Sequence, residues 1–114
     1  MKPIYDIEVY EDEQGKSPFS DWLLKLKDKK AQAKIRARIR RVSMDNFGDT
    51  KPLAGAKGIY ELREHYGQGF RVFYVKTGKT VILLLAGSTK KDQNRTIIKA
   101  TEYLADYERR KDHD

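Results

Sequence analysis

Between Ile59 and Ala86 three apolar runs follow one another with only short glycine-bearing breaks, and this stretch limits the possible folds more than any other. Ile59 to Tyr66, Gly69 to Lys76 and Lys79 to Ala86 each read as a strand, with Thr77-Gly78 a two-residue turn candidate between the last two. The break at Tyr66-Gly67-Gln68-Gly69-Phe70 also decides which side chains share a face, because side chains alternate across a sheet. A two-residue loop pairs Tyr66 with Gly69 and sets Arg71 beside Leu62 and Glu64. A three-residue loop pairs Tyr66 with Phe70 and gathers Leu62, Phe70, Val72 and Tyr74 on one face. The other face then carries Glu61, Arg63, His65, Arg71, Phe73 and Val75. The second register separates apolar from charged side chains far better, and Gly69 supplies the positive φ such a loop usually needs. It predicts Arg63 and Arg71 on one face of adjacent strands.

The flanking segments supply the rest of the architecture. Ile4 to Tyr10 alternates as a half-buried strand, with Tyr5, Ile7 and Val9 on one side and Asp6 and Glu8 on the other. Ser17-Pro18 reads as an N-cap followed by proline at the first helical position, and Phe19, Trp22, Leu23 and Leu26 form one apolar stripe. Asp28 caps a second predicted helix, to about Met44, with Ala31, Ile35, Ile39 and Val42 inward and Lys34, Arg36, Arg38, Arg40 and Arg41 flanking them. The two helices form a hairpin with a basic outer face. Residues 45–58 are dense in Gly, Asp and Asn and read as a connecting loop. Thr89-Lys90-Lys91-Asp92 is similar to a capping box, and the terminal helix that follows, to about Arg110, spaces Ile97, Ala100/Thr101, Leu104 and Tyr107 on one stripe. The expected class is α+β: a small antiparallel sheet of about four strands, an N-terminal helical hairpin packed on one face, and a C-terminal helix.

Composition narrows the chemistry. A chain of 114 residues holds one modest core, so one domain over 1–114 is expected, with 109–114 a frayed tail. There is no cysteine, hence no disulfide, thiolate nucleophile or thiolate zinc site. Two histidines, His65 and His113, are too few for a His-based metal site, and neither a metal nor a cofactor is expected. The longest apolar run, Val81 to Ala86, is far below the roughly 20 residues of a membrane helix, and the alternating, acidic N-terminus does not read as a signal peptide; a cytoplasmic protein is expected. Residues 1–24 hold two lysines and six carboxylates, a net of −4, whereas the remainder holds 22 Lys and Arg against 11 Asp and Glu. That basic body suits a polyanionic partner; a solvated lysine-rich surface is the plainer explanation.

The series Pro18-Phe19-x-x-Trp22-Leu23, Glu61-Leu62-Arg63, Gly69-Phe70-Arg71-Val72-Phe73, Leu83-Leu84-Leu85-x-Gly87 and Lys90-Lys91-x-Gln93 resembles the RelE/ParE toxin superfamily. Within it, the nearest likeness is to the phage-derived, HigB-like addiction-module killer proteins. The likeness runs from about Ile4 to Tyr107; no motif is specific alone, and the five in order carry it. The resemblance implies a RelE-like toxin fold, a cognate antitoxin (of helix-turn-helix type), and cleavage of mRNA in the ribosomal decoding site without a metal. Such cleavage needs a base at the 2′-hydroxyl, cations on the developing phosphorane and an acid for the leaving 5′-oxygen. Lys, Arg and Tyr are poorly matched to those roles at neutral pH, so alignment by the ribosome would carry much of the rate.

By resemblance, Arg71 matches the arginine after the Gly-aromatic pair and contacts the scissile phosphate; its structural alternative is an ion pair with Glu61 or Glu64. Arg63 is a second phosphate ligand or half of a cross-strand pair. Lys90 or Lys91 supplies a basic catalytic or substrate-binding group, or is ordinary loop. His65, facing Arg71, is a candidate base. Tyr74 falls on the core face and Tyr107 continues the apolar stripe of the last helix, while Tyr103 has no assignment. Lys34, Arg36, Arg38, Arg40 and Arg41 would contact ribosomal RNA. Two other functions keep the same basic surface: a ParE-like inhibitor of DNA gyrase, and a non-enzymatic nucleic-acid-binding module.

Overall fold

The computed structural model describes residues 2–56 and 58–112. Its elements run β1 (Asp6–Val9), α1 (Pro18–Lys25), α2 (Lys29–Ser43), β2 (Thr50–Pro52), β3 (Ile59–Glu64), β4 (Phe70–Thr77), β5 (Val81–Thr89) and α3 (Gln93–Asp112). The fold is α+β, with the strands in the order β1-β5-β4-β3-β2. Ser17 caps α1 through a bond from the Ser20 amide, with Pro18 in the first turn, and the Asp28 carboxylate accepts from the amides of Lys30 and Ala31 at the start of α2. Both caps satisfy helix-end donors that would otherwise have no partner.

The sheet is sandwiched. On one face Phe19 and Leu23 of α1 and Ala31, Ile35 and Val42 of α2 pack over Leu62, Phe70, Val72, Tyr74, Ile82 and Leu84. On the other, Ala100, with Ile97, Tyr103, Leu104 and Tyr107 of α3 around it, covers Ile59, Phe73, Val75, Leu83 and Leu85. Burial on both faces explains why β4 and β5 read as nearly continuous apolar runs. Tyr10 pins α3 to the end of β1: its hydroxyl donates to Asp106 at 2.6 Å and its ring stacks on Tyr103. Burial first, then the Asp106 carboxylate, push this phenol up to about 12.

Four features depart from the expected layout. The sheet has five strands, because Thr50–Pro52, inside the expected loop, pairs with β3 along its edge. It is mostly rather than wholly antiparallel: β1 runs parallel to β5, Asp6 opposite Val81. The β3–β4 loop holds five residues, since Glu64 rather than Tyr66 lies opposite Phe70. A shift of two preserves parity, so the two predicted faces are those observed, and Arg63 is the direct partner of Arg71. Lastly, α3 continues through Asp112, and Arg109 and Arg110 both pair with Asp106, so 109–112 is helix and no tail. The expectation for His113 lies outside the described residues.

Candidate functional site

The ends of β3 and β5, the start of β4 and the β5–α3 connection meet at one end of the sheet. There Arg63 near the end of β3 and His65, the first residue of the β3–β4 loop, are joined by a residue from the α2–β2 connection. The Asp49 carboxylate accepts from Arg63 Nε (2.9 Å) and Nη2 (2.7 Å) through Oδ1, and its Oδ2 lies 2.5 Å from His65 Nε2. One carboxylate therefore fixes both a guanidinium and an imidazole. The bond from His65, and after it those from Arg63, hold the Asp49 carboxyl below its ordinary value. The His65 side chain is 70% exposed, so with Nε2 engaged its Nδ1 edge is left for a substrate. An imidazole oriented by a carboxylate can take up and return a proton, and an adjacent guanidinium can hold a phosphate.

Asp49 is itself held from below. Arg38 Nη1 donates to the Arg63 carbonyl (2.6 Å), while Nη2 donates to the carbonyls of Phe47 (3.0 Å) and Asp49 (3.3 Å). Its side chain is only 11% exposed. Arg38 thus does not belong to the basic outer face expected of α2; its guanidinium ties a loop to β3. Gly48, at φ 63, is needed here, since a Cβ would sit 3.2 Å from Arg38 Nη2.

Arg71 is buried, 5% exposed, with Nε 3.7 Å from Glu61 Oε2 and Nη1 donating to the Phe70 carbonyl. Among the described residues its Nε has no hydrogen-bond partner, and Glu61, also buried, lies 3.7 Å from Lys51 Nζ. The physical reason is the second layer: α3 and its neighbours bury the β4 face on which Arg71 sits. Of the two ion pairs open to it in the sequence, the Glu61 pair forms.

Lys90 comes to the hairpin: its amide donates to the Gly69 carbonyl at 3.0 Å, and its side chain packs where a Gly69 Cβ would be, 3.3 Å away. Lys91 is exposed beside it in sequence. The α2 cations split by helical spacing. Lys34, with Lys30 one turn earlier, lies over the Tyr66 ring (5.5 and 5.7 Å to its centroid), at the candidate site. Arg36 and Arg40 instead line a groove with Phe19, Leu23 and Leu24 of α1, and Arg41 is exposed. Among the described residues no three His, Asp or Glu side chains converge as a metal-ligand set.

Residues 21–106 match the family model for "Phage derived protein Gp49-like (DUF891)". The chain belongs to the phage-derived Gp49-like family. This family is RelE/toxin-like, and the three-helix, five-strand architecture agrees with a RelE-like fold. The Gp49-like chain is also 44% identical over 82 residues to an uncharacterized protein of Haemophilus influenzae, covering 72% of this chain and 81% of that one. The match takes in every candidate residue from Lys34 to Lys91. Sequence reasoning missed Asp49. Its only local signal is a Gly-Asp dipeptide in a loop, and its partners lie 14 and 16 residues away.

Proposed function

We infer that this Gp49-like protein is the toxin of a type II toxin–antitoxin module of the HigB-like kind, acting in the cytoplasm as a ribosome-dependent mRNA endoribonuclease. The observation that carries this is the Asp49-held pair of Arg63 and His65 at the exposed end of the sheet. In this reading His65 takes the proton of the 2′-hydroxyl, the 2′-oxygen attacks phosphorus, and the 5′-oxygen departs with a proton from Lys90 or Lys91. Arg63 stabilises the phosphorane charge, and Arg71, through Glu61, sets the strand geometry beneath it. Lys34, Arg36, Arg40 and Arg41 contact ribosomal RNA, the ribosome aligns the mRNA, and a helix-turn-helix antitoxin restrains the protein until it is needed.

The test is induction of the wild type, Arg63→Ala and His65→Ala in a bacterial host. The wild type stops protein synthesis and growth, and both variants, present as folded protein at equal levels, permit growth. Full toxicity in both would remove these residues from the site. Arrest accompanied by gyrase-linked DNA breaks, with translation intact, would favour the ParE-like alternative. RNA binding without any cut would favour a non-enzymatic module.

A further inference from the structure

At the opposite end of the sheet, on the face packed by α1 and α2, lies a second concave feature. Tyr5 before β1, Phe47 before β2, Tyr60 of β3 and Tyr74 of β4 line a cavity of about 300 Å³ with Thr50 and Lys76. The rings form a connected wall. Tyr60 stacks on Tyr74 (5.7 Å, 20°), Phe47 leans on Tyr74 (5.9 Å), and Tyr5 meets Phe47 edge-on (5.6 Å). Tyr60 remains 38% exposed, so its ring presents an open surface at the rim of this wall.

The polar groups of the wall are largely consumed by one another. Thr50 Oγ1 donates to the Glu61 carbonyl and bonds the Tyr74 hydroxyl at 2.7 Å. Lys76 Nζ bonds Tyr5 Oη at 3.0 Å, which uses one of the ammonium's three donors. What the pocket offers a ligand, among the described residues, is the exposed ring of Tyr60 and the remaining donors of Lys76 at the rim; Tyr5 and Tyr74 are buried, and Lys76 already lies over the Tyr5 ring at 4.8 Å. An aliphatic ligand would use neither the ring faces nor the charge. A planar heteroaromatic ring bearing an anionic group uses both: the ring stacks on Tyr60, and the anion reaches Lys76.

The geometry points to a nucleotide-binding pocket here, taking one unpaired base by stacking on Tyr60 and its phosphate on Lys76. The pocket shares the α2–β2 connection with the Arg63–His65 end, since Phe47 and Thr50 flank Asp49, but Tyr60 and Tyr74 face the other side of the sheet from Arg63, and binding there does not depend on RNA cleavage. The same chemistry is carried by a free mononucleotide or by one nucleotide of a single-stranded RNA.

The experiment titrates the purified chain with adenosine, AMP and a short single-stranded oligoadenylate, reading ring-proton shifts of Tyr5, Phe47, Tyr60 and Tyr74 by NMR and affinity by calorimetry. AMP or the oligonucleotide should move these rings. Tyr60→Leu, which keeps apolar bulk but removes the π face, should weaken binding about tenfold, while Tyr60→Phe should retain it. Lys76→Gln should weaken AMP but not adenosine. AMP binding as well as the oligonucleotide identifies a free nucleotide as the natural source; binding by the oligonucleotide alone identifies a strand. Wild-type rings that stay unmoved by all three ligands would overturn the proposal. So would folded Tyr60→Leu and Lys76→Gln proteins that bind like wild type.

Discussion

Arg71 and Asp49 show how differently two charged side chains can be legible. Arg71 stands out in the sequence within Gly69-Phe70-Arg71, and parity placed it on the correct face beside Arg63. What parity cannot give is depth: whether that face is open depends on where α3 lies, a contact between distant segments. Because the Arg71–Glu61 pair is buried, replacing Arg71 with Ala leaves, among the described residues, a buried carboxylate paired with Lys51 alone. Urea unfolding should show a loss of about 3–5 kcal/mol, and Arg71→Met combined with Glu61→Leu should recover most of it. A single variant as stable as wild type would contradict the buried pair. Arg71→Ala is for this reason a poor probe of activity, and Arg63 and His65 are better ones.

Asp49 was invisible because nothing local marks it; only the return of the chain along β3 gives it partners. Its carboxyl is held below its ordinary value by His65 and Arg63. The folded state therefore gains from the ionised form above the unfolded value of about 3.9, and this gain disappears as pH falls through the lower folded value. Thermal melts of wild type and Asp49→Asn should differ above that range and converge in more acidic solution. A gap that stays constant to the lowest pH would show that the Asp49 charge contributes nothing.

The secondary elements were mostly legible where a period was present. Both helix caps, the stripes of α1, α2 and α3 and the three central strands followed from 3.6- and 2-residue spacing. β2 was not, since Thr50-Lys51-Pro52 is short, polar and ends in proline, and it is a strand only because it lies along an edge. The hairpin loop was underestimated by two residues because Tyr66 leaves the ladder: its carbonyl accepts from Gly69, and its ring lies under Lys30 and Lys34. The contact between α1 and β5 supplies a sharp test of the packing. Gly87 has no room for a side chain, as a Cβ would lie 2.2 Å from the Trp22 ring. Gly87→Ala should force α1 outward and cost about 1–3 kcal/mol in chemical denaturation. An unchanged midpoint would mean that α1 does not press on β5 as described.

For the molecule as a whole, the net charge of +7 is organised rather than spread. Lys30 and Lys34 border the Arg63–His65 end with Lys90 across the hairpin, Arg36 and Arg40 border the α1–α2 groove, and Lys76 sits at the far end of the sheet beside four aromatic rings. The first of these groups surrounds the proposed cleavage site, while in the same reading Arg36 and Arg40 contact ribosomal RNA. Its claim is tested most directly by primer extension on an mRNA translated by purified ribosomes, with wild-type protein, Arg63→Ala and His65→Ala. Cuts at defined codon positions, dependent on translation, are expected with the wild type and are lost in both variants. Cuts that persist undiminished in both variants, or a translated message left intact by the wild type, would contradict it.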